Sequence, residues 1–143
     1  MANALYVKAR KHFASGQIAW LAAGDTVKAT LIDVADYSVD LVNHDVMDLA
    51  TVPAAARIQT ITLTPIDAAD GGYCDAVDGL FVGLVGDEAE ALIVWVDKGG
   101  GGVVPSGGTD YLIGYYDDVT GLPVTPSMQD ALIQWNASGL FRI

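Results

Sequence analysis

Hydrophobic and polar positions follow two different periods along this chain, and the change falls near Gly16. Before it, Ala2, Leu5, Tyr6, Ala9 and Phe13 share one face of a helical wheel, while Lys8, Arg10 and Lys11 fall elsewhere. The spacing predicts one helix over residues 3–14, with Asn3 as its cap and Gly16 as its stop. Its three basic residues lie toward the negative end of the helix dipole, where positive charge is favourable. After Gly16 the period is two. Residues 17–21 predict a short strand and Gly24-Asp25 a turn. Residues 26–33 alternate Val27, Ala29 and Leu31 against Lys28, Thr30 and Ile32. Residues 34–56 are irregular and predict a loop with a helical turn or two, ending near Pro53.

Strand pattern returns at residues 57–65, with Ile58, Thr60, Thr62 and Thr64 opposite Gln59, Ile61 and Leu63. A break at Asp67, Asp70, Gly71 and Gly72 follows, then strands at 73–77 and 80–85. Residues 89–97 are the most apolar stretch, with Leu92 to Val96 in succession. Such a run fits a strand buried on both sides, or one with a face toward a partner. Residues 99–108 are glycine-rich around Val103, Val104 and Pro105. A strand at 110–118 leads to a turn-rich link at 118–126, and segments 131–135 and 140–143 predict a closing hairpin. The expected fold is mainly β: one domain over residues 1–143, an antiparallel β-sandwich or barrel of seven or eight short strands with one N-terminal α-helix.

Composition changes this picture in three ways. With 52% hydrophobic residues, disorder of the whole chain is excluded. No apolar run reaches the roughly 18 residues of a membrane span, and no apolar stretch of a signal peptide follows the basic start. A net charge of −11 argues against nucleic acid as a partner, since phosphate binding is driven by Lys and Arg. Sixteen of the 18 acids are Asp, which favours turns and element ends, and only Glu88 and Glu90 are Glu. Cys74, the single cysteine, can form no internal disulfide and is expected to be a small buried side chain.

The search for chemistry returns little. No phosphate-binding loop or nucleophile elbow is present, and Gly99 to Gly102 lacks dinucleotide-loop spacing. His12 and His44 are the only histidines. His44 and Asp48 stand four apart, but two potential ligands make no metal site. The pairs Asp67/Asp70, Asp75/Asp78 and Asp117/Asp118 do not match a calcium loop, and turn formation accounts for each. Trp20, Trp95 and Trp135 read as core rather than as a sugar-stacking platform. No catalytic residue, metal ligand or cofactor is predicted.

Several segments together resemble a family of small tailed-bacteriophage virion proteins. They are Met1 to Tyr6, Lys8 to Phe13, Ile18-Ala-Trp20, Thr26 to Asp33 with Asp36-Tyr37, and Pro53 to Arg57. Glu90 to Val94, Leu112 to Asp117, Thr120 to Pro126 and Trp135 to Ile143 continue the likeness nearly end to end, and it departs at Gly99 to Gly108. The resemblance implies a structural role without catalysis, most simply capsid decoration: a cement protein made in host cytoplasm and bound outside the major capsid lattice. The implied partners are the major capsid protein and copies of itself, as a trimer or dimer, with neither nucleic acid nor membrane. A neck, tail or fibre-associated position is the alternative, and a carbohydrate-binding sandwich a more distant one. The expected capsid-facing residues are Lys8, Arg10 and Lys11 on the helix, with Val103, Val104 and Pro105 at the loop tip.

Overall fold

All seven residues of the apolar run Ala91–Asp97 are buried, and this strand forms the middle of the molecule. The structure is a computed structural model describing residues 3–21, 25–98 and 108–143. Its strands are β1 (Ala4–Leu5), β2 (Thr26–Ile32), β3 (Arg57–Thr62), β4 (Ile66–Ala69), β5 (Tyr73–Ala76), β6 (Gly79–Phe81), β7 (Ala91–Asp97), β8 (Leu112–Tyr116), β9 (Ala131–Ile133) and β10 (Phe141–Arg142), with one helix, α1 (Val7–Ala14). Five of them build an antiparallel sheet in the order β1-β8-β7-β2-β3. Two smaller antiparallel sheets, β10-β5-β4 and β6-β9, complete the architecture.

Alternation along β7 feeds two separate cores. Leu92, Val94 and Val96 join Val27, Ala29, Leu31 and Ile113 on one face, which the small sheets close with Cys74, Phe81, Ile133 and Leu140. Ala91, Ile93 and Trp95 join Ile32, Leu112 and Tyr115 on the other. There the cover is Tyr6 and Ala9 around α1, together with Tyr37, Met47, Val52 and Ala56 from the segment 33–56. The protein is thus a sandwich on one side of the large sheet and a helix-and-loop layer on the other. Each fully buried large aliphatic side chain contributes about 1.5–3 kcal/mol.

The loop layer is held down by polar contacts. His44 Nδ1 accepts the Asp40 N–H at 3.3 Å, so that nitrogen is unprotonated, and the Tyr37 hydroxyl donates to it at 2.8 Å. Tyr37 then accepts from the Tyr6 hydroxyl at 2.8 Å. Burial keeps both phenols protonated: the Tyr37 pKa is pushed up to about 12, and that of Tyr6 is also raised. In the sheet, Thr30 lies opposite Thr60 with hydroxyls 2.7 Å apart, and the Trp95 indole donates to Thr30 Oγ1. These bonds satisfy polar groups that burial would otherwise penalise.

The structure bears out a mainly β fold with a helix near the N-terminus and corrects several boundaries. The helix is Val7–Ala14, not 3–14, because Ala4 and Leu5 pair with β8 and the Tyr6 N–H donates to Ile113 O. Tyr6 occupies the N-cap position without a side-chain capping bond. Asn3 caps a different turn, accepting the N–H groups of Asp117 and Asp118. Residues 17–21 bury Ile18 and Trp20 without forming a strand, since the N–H groups of Gln17 and Ile18 both turn back to His12 O. The predicted break at Asp67 lies inside β4. The closing hairpin is absent: β9 pairs with β6 and β10 with β5, so the two segments enter different sheets. The described residues form ten strands where seven or eight were expected.

Gly114 marks a tight point in this packing. Pairing of β7 with β8 shifts register between Val94 and Trp95, and the Tyr116 ring folds back over Gly114. A Cβ there would meet the Tyr116 ring and hydroxyl at 2.8 Å. Gly114→Ala is expected to cost about 1–3 kcal/mol through displacement of the Tyr116 ring. Leu92→Ala, at the centre of the sheet, should cost about 2–5 kcal/mol. Urea unfolding midpoints measure both, and a Gly114→Ala protein as stable as the parent would contradict the packing described.

Candidate interaction surfaces

The carboxylates that might have built a reactive centre are mostly occupied as backbone acceptors. Asp33 takes the Ala35 N–H, Asp40 those of Val42 and Asn43, and Asp48 that of Thr51. Asp78 takes the Trp135 N–H and Asp130 that of Gly83. Asp67 and Asp75 stand directly opposite across β4 and β5, each on a following N–H. No group of three or more His, Cys, Asp or Glu is placed to hold a metal ion among the described residues. No helix among them is long and apolar enough to cross a membrane.

The histidines are tied into the same scaffold. His12 is buried, stacks on Tyr111 with ring centroids 3.7 Å apart, and donates from Nε2 to Asp45 at 2.6 Å. Its Nδ1 meets the Gln17 side-chain amide. His44 and Asp48 lie in the loop layer on separate partners, so they share no helical face. Trp20 and Trp95 are buried, while half-buried Trp135 packs toward Tyr116 and donates to Val77 O. Those roles are core roles.

The predicted basic interface is dispersed. Successive helical residues are turned by about 100°, so Lys8 and Arg10 flank the buried Ala9 on opposite sides while Lys11 points away from it. Lys8 donates to Asn43 O at 2.7 Å and so ties the helix to the loop layer. Val103, Val104 and Pro105 lie outside the described residues. Instead, the structure brings Arg10 to Arg142 along one cleft, a pairing across the chain that helix spacing could not reveal.

A surface that the sequence reading missed lies on the β6-β9 sheet. Leu80 and Leu132 are cross-strand partners, 50% and 46% exposed, and Val82, just beyond the end of β6, is exposed as well. The loops beyond add Val85 and Met128 at 61% and 79% exposure. Those loops are joined, since Leu84 N–H donates to Gln129 O and Met128 N–H to Leu84 O. Met128 also has a φ of 63°, a left-handed conformation that side chains other than glycine, Asn and Asp seldom adopt. Asp78, Asp87 and Asp130 stand two residues from Leu80, Val85 and Met128 in the sequence. The available signal was that both faces of residues 80–85 are apolar, although Phe81 and Leu84 alone reach the core.

Comparison of the chain with protein-family models gives no match, and comparison with curated proteins gives none.

Two ionisable groups near the core yield tests. Burial pushes the Cys74 thiol up to about 11, so little thiolate exists near neutrality. Cys74 should resist a thiol reagent at pH 8 and react fully once urea unfolds the chain; rapid native labelling would contradict its placement. Asp110 has its pKa raised, chiefly by desolvation, despite accepting the Lys98 N–H. Folding thus favours its protonated form: that stability is complete below the unfolded carboxylate range and lost as pH rises through the raised folded value. Asp110→Asn, which keeps an acceptor for Lys98, should exceed the parent in stability at neutral pH and lose that advantage in acid.

Proposed function

We propose that this protein is a structural component of a tailed-bacteriophage virion, bound outside the major capsid lattice as a decoration or cement protein. The observation that supports this reading best is the exposed apolar surface of Leu80, Val82, Val85, Met128 and Leu132. Large apolar side chains exposed together on a sheet and its loops are the mark of a protein–protein contact. Many identical sites on a lattice would let a modest contact hold through collective binding. The end-to-end resemblance noted in the sequence supports the particle assignment, and the use of Asp side chains on turns supports binding rather than catalysis. The partners under this proposal are the major capsid protein and copies of the chain itself, with no cofactor.

Purified particles should carry copies of this protein in numbers comparable to the capsid lattice sites. Copies numbering only as the neck or tail symmetry would sink the shell assignment and favour the tail position. Val82→Asp combined with Met128→Asp should leave the unfolding midpoint nearly unchanged and remove binding to particles stripped of the protein. Met128→Gly should separate fold from function. Relief of the left-handed side chain stabilises the free protein by about 1 kcal/mol, while loss of the thioether weakens attachment. Undiminished attachment of both variants would rule out this surface.

A further inference from the structure

A second surface, remote in sequence from the apolar patch, lies where two sheet edges approach. The cleft has a volume of about 420 Å³ and is lined by Leu5, Val7, Arg10, Tyr116, Phe141 and Arg142, among others. Strand β1 is the outer strand of the large sheet and β10 the outer strand of a small one. The N–H of Tyr6 donates to Ile113 O and that of Ile143 to Gly72 O. Strand alternation therefore turns the peptide groups of Leu5 and Arg142 away from their own sheets, toward open edges.

The charge of this cleft runs against that of the molecule. Three of the seven cations are spent on carboxylates: Lys28 on Asp97, Lys98 on Asp25, and Arg57 beside Asp48. Arg10 makes no ion pair among the described residues, and Arg142 donates to Gly71 O while stacking over Tyr73. Arg10 and Arg142, which have no carboxylate partner among the described residues, thus both contribute to the lining of one cleft on a chain of net charge −11. A third polar group points the same way. Tyr116 is 4% exposed and its hydroxyl has no hydrogen-bond partner among the described residues. That hydroxyl sits over Gly114, the residue paired with Leu5 on the cleft wall. Buried hydroxyls are normally satisfied, so one left open on a residue that lines this cleft marks a place for an acceptor.

We propose that this cleft binds an extended, carboxylate-bearing segment of a partner protein by strand addition. Peptide groups of Leu5 or Arg142 extend the sheet edge, Leu5, Val7 and Phe141 take apolar side chains, and Arg10, Arg142 and the Tyr116 hydroxyl take the carboxylates. An extended occupant fits because both flanking elements are open strand edges. An acidic one fits because the polar groups offered are donors.

The probe is a blocked synthetic peptide alternating glutamate and valine, with a glutamine-for-glutamate version as control, titrated into the full chain. The glutamate peptide should bind, weaken with salt, and shift the amide resonances of Leu5 or Arg142. Arg10→Gln with Arg142→Gln should weaken it roughly ten- to hundredfold without altering the fold, as expected for loss of charge-assisted bonds. Tyr116→Phe gives the decisive reading. Removing an unsatisfied hydroxyl should raise the unfolding temperature of the free protein and yet weaken the peptide roughly tenfold. A structural role alone would move the first quantity and leave the second. Equal binding of the glutamine peptide, competition by free glutamate as strong as by the peptide, or self-association through the cleft that the arginine variants abolish would each overturn the proposal.

Discussion

A β-strand that is apolar on both faces becomes dry only if something covers each face, and this constraint organises the molecule. Strand β7 is such a strand. Its Leu92 face is covered by two small sheets, the ordinary solution of a sandwich. The Ile93 face has no second sheet. Its cover is a short helix and the polar segment 33–56, in which apolar anchors are few and widely spaced. Such a cover must be fastened by something other than area. The Tyr6–Tyr37–His44 chain, the His12–Asp45 contact and the Lys8 bond to Asn43 do that fastening. Each joins the helix or its entry to the loop. Removal of β7's apolar face would leave these bonds with nothing to close.

The abundance of aspartate follows from the same arrangement. A loop packed against a sheet exposes backbone N–H groups that have no strand partner, and each needs an acceptor within a residue or three. Aspartate is short enough to provide one locally, whereas glutamate is not. Asp33, Asp40 and Asp48 all serve the covering loop this way. The acidity of the protein is thus partly a by-product of how its loops are closed. One consequence is a strongly negative surface from which the cations stand out as a few separate groups.

Legibility from sequence tracked how local each signal was. The period-two pattern of residues 26–32 and the unbroken apolar run of β7 identified the two central strands within a residue or two. Turn aspartates were readable for the same reason, since their partners are neighbours in the chain. What failed depended on distant pairing. Leu5 lies on a good helical wheel, but its place opposite Gly114 is set by a strand more than a hundred residues away. Segments 131–133 and 141–142 look like a hairpin, yet β6 and β5 claim them separately. The surfaces behaved likewise. Lys8, Arg10 and Lys11 are close in sequence and diverge in space, whereas Arg10 and Arg142 meet on one cleft because the two chain ends form neighbouring edges. Leu80 and Leu132 were each visible as strand residues, but their shared exposure became apparent only with the register.

The two surfaces carry information because of the care taken elsewhere. Where loop aspartates meet backbone donors so regularly, a hydroxyl as deeply buried as that of Tyr116 and left without a partner among the described residues costs stability that a phenylalanine would recover. Met128 presents its side chain from a conformation that glycine would adopt more cheaply. Leu80, Val82 and Leu132 expose apolar area on a sheet whose inner face already supplies the core. None of these features helps the isolated chain fold. A sequence selected for its fold alone would be expected to relieve all of them, and the contacts proposed above are ones in which the hydroxyl would be paired and the apolar area covered. The cost sits in the free protein, and contact with a partner is where it would be returned.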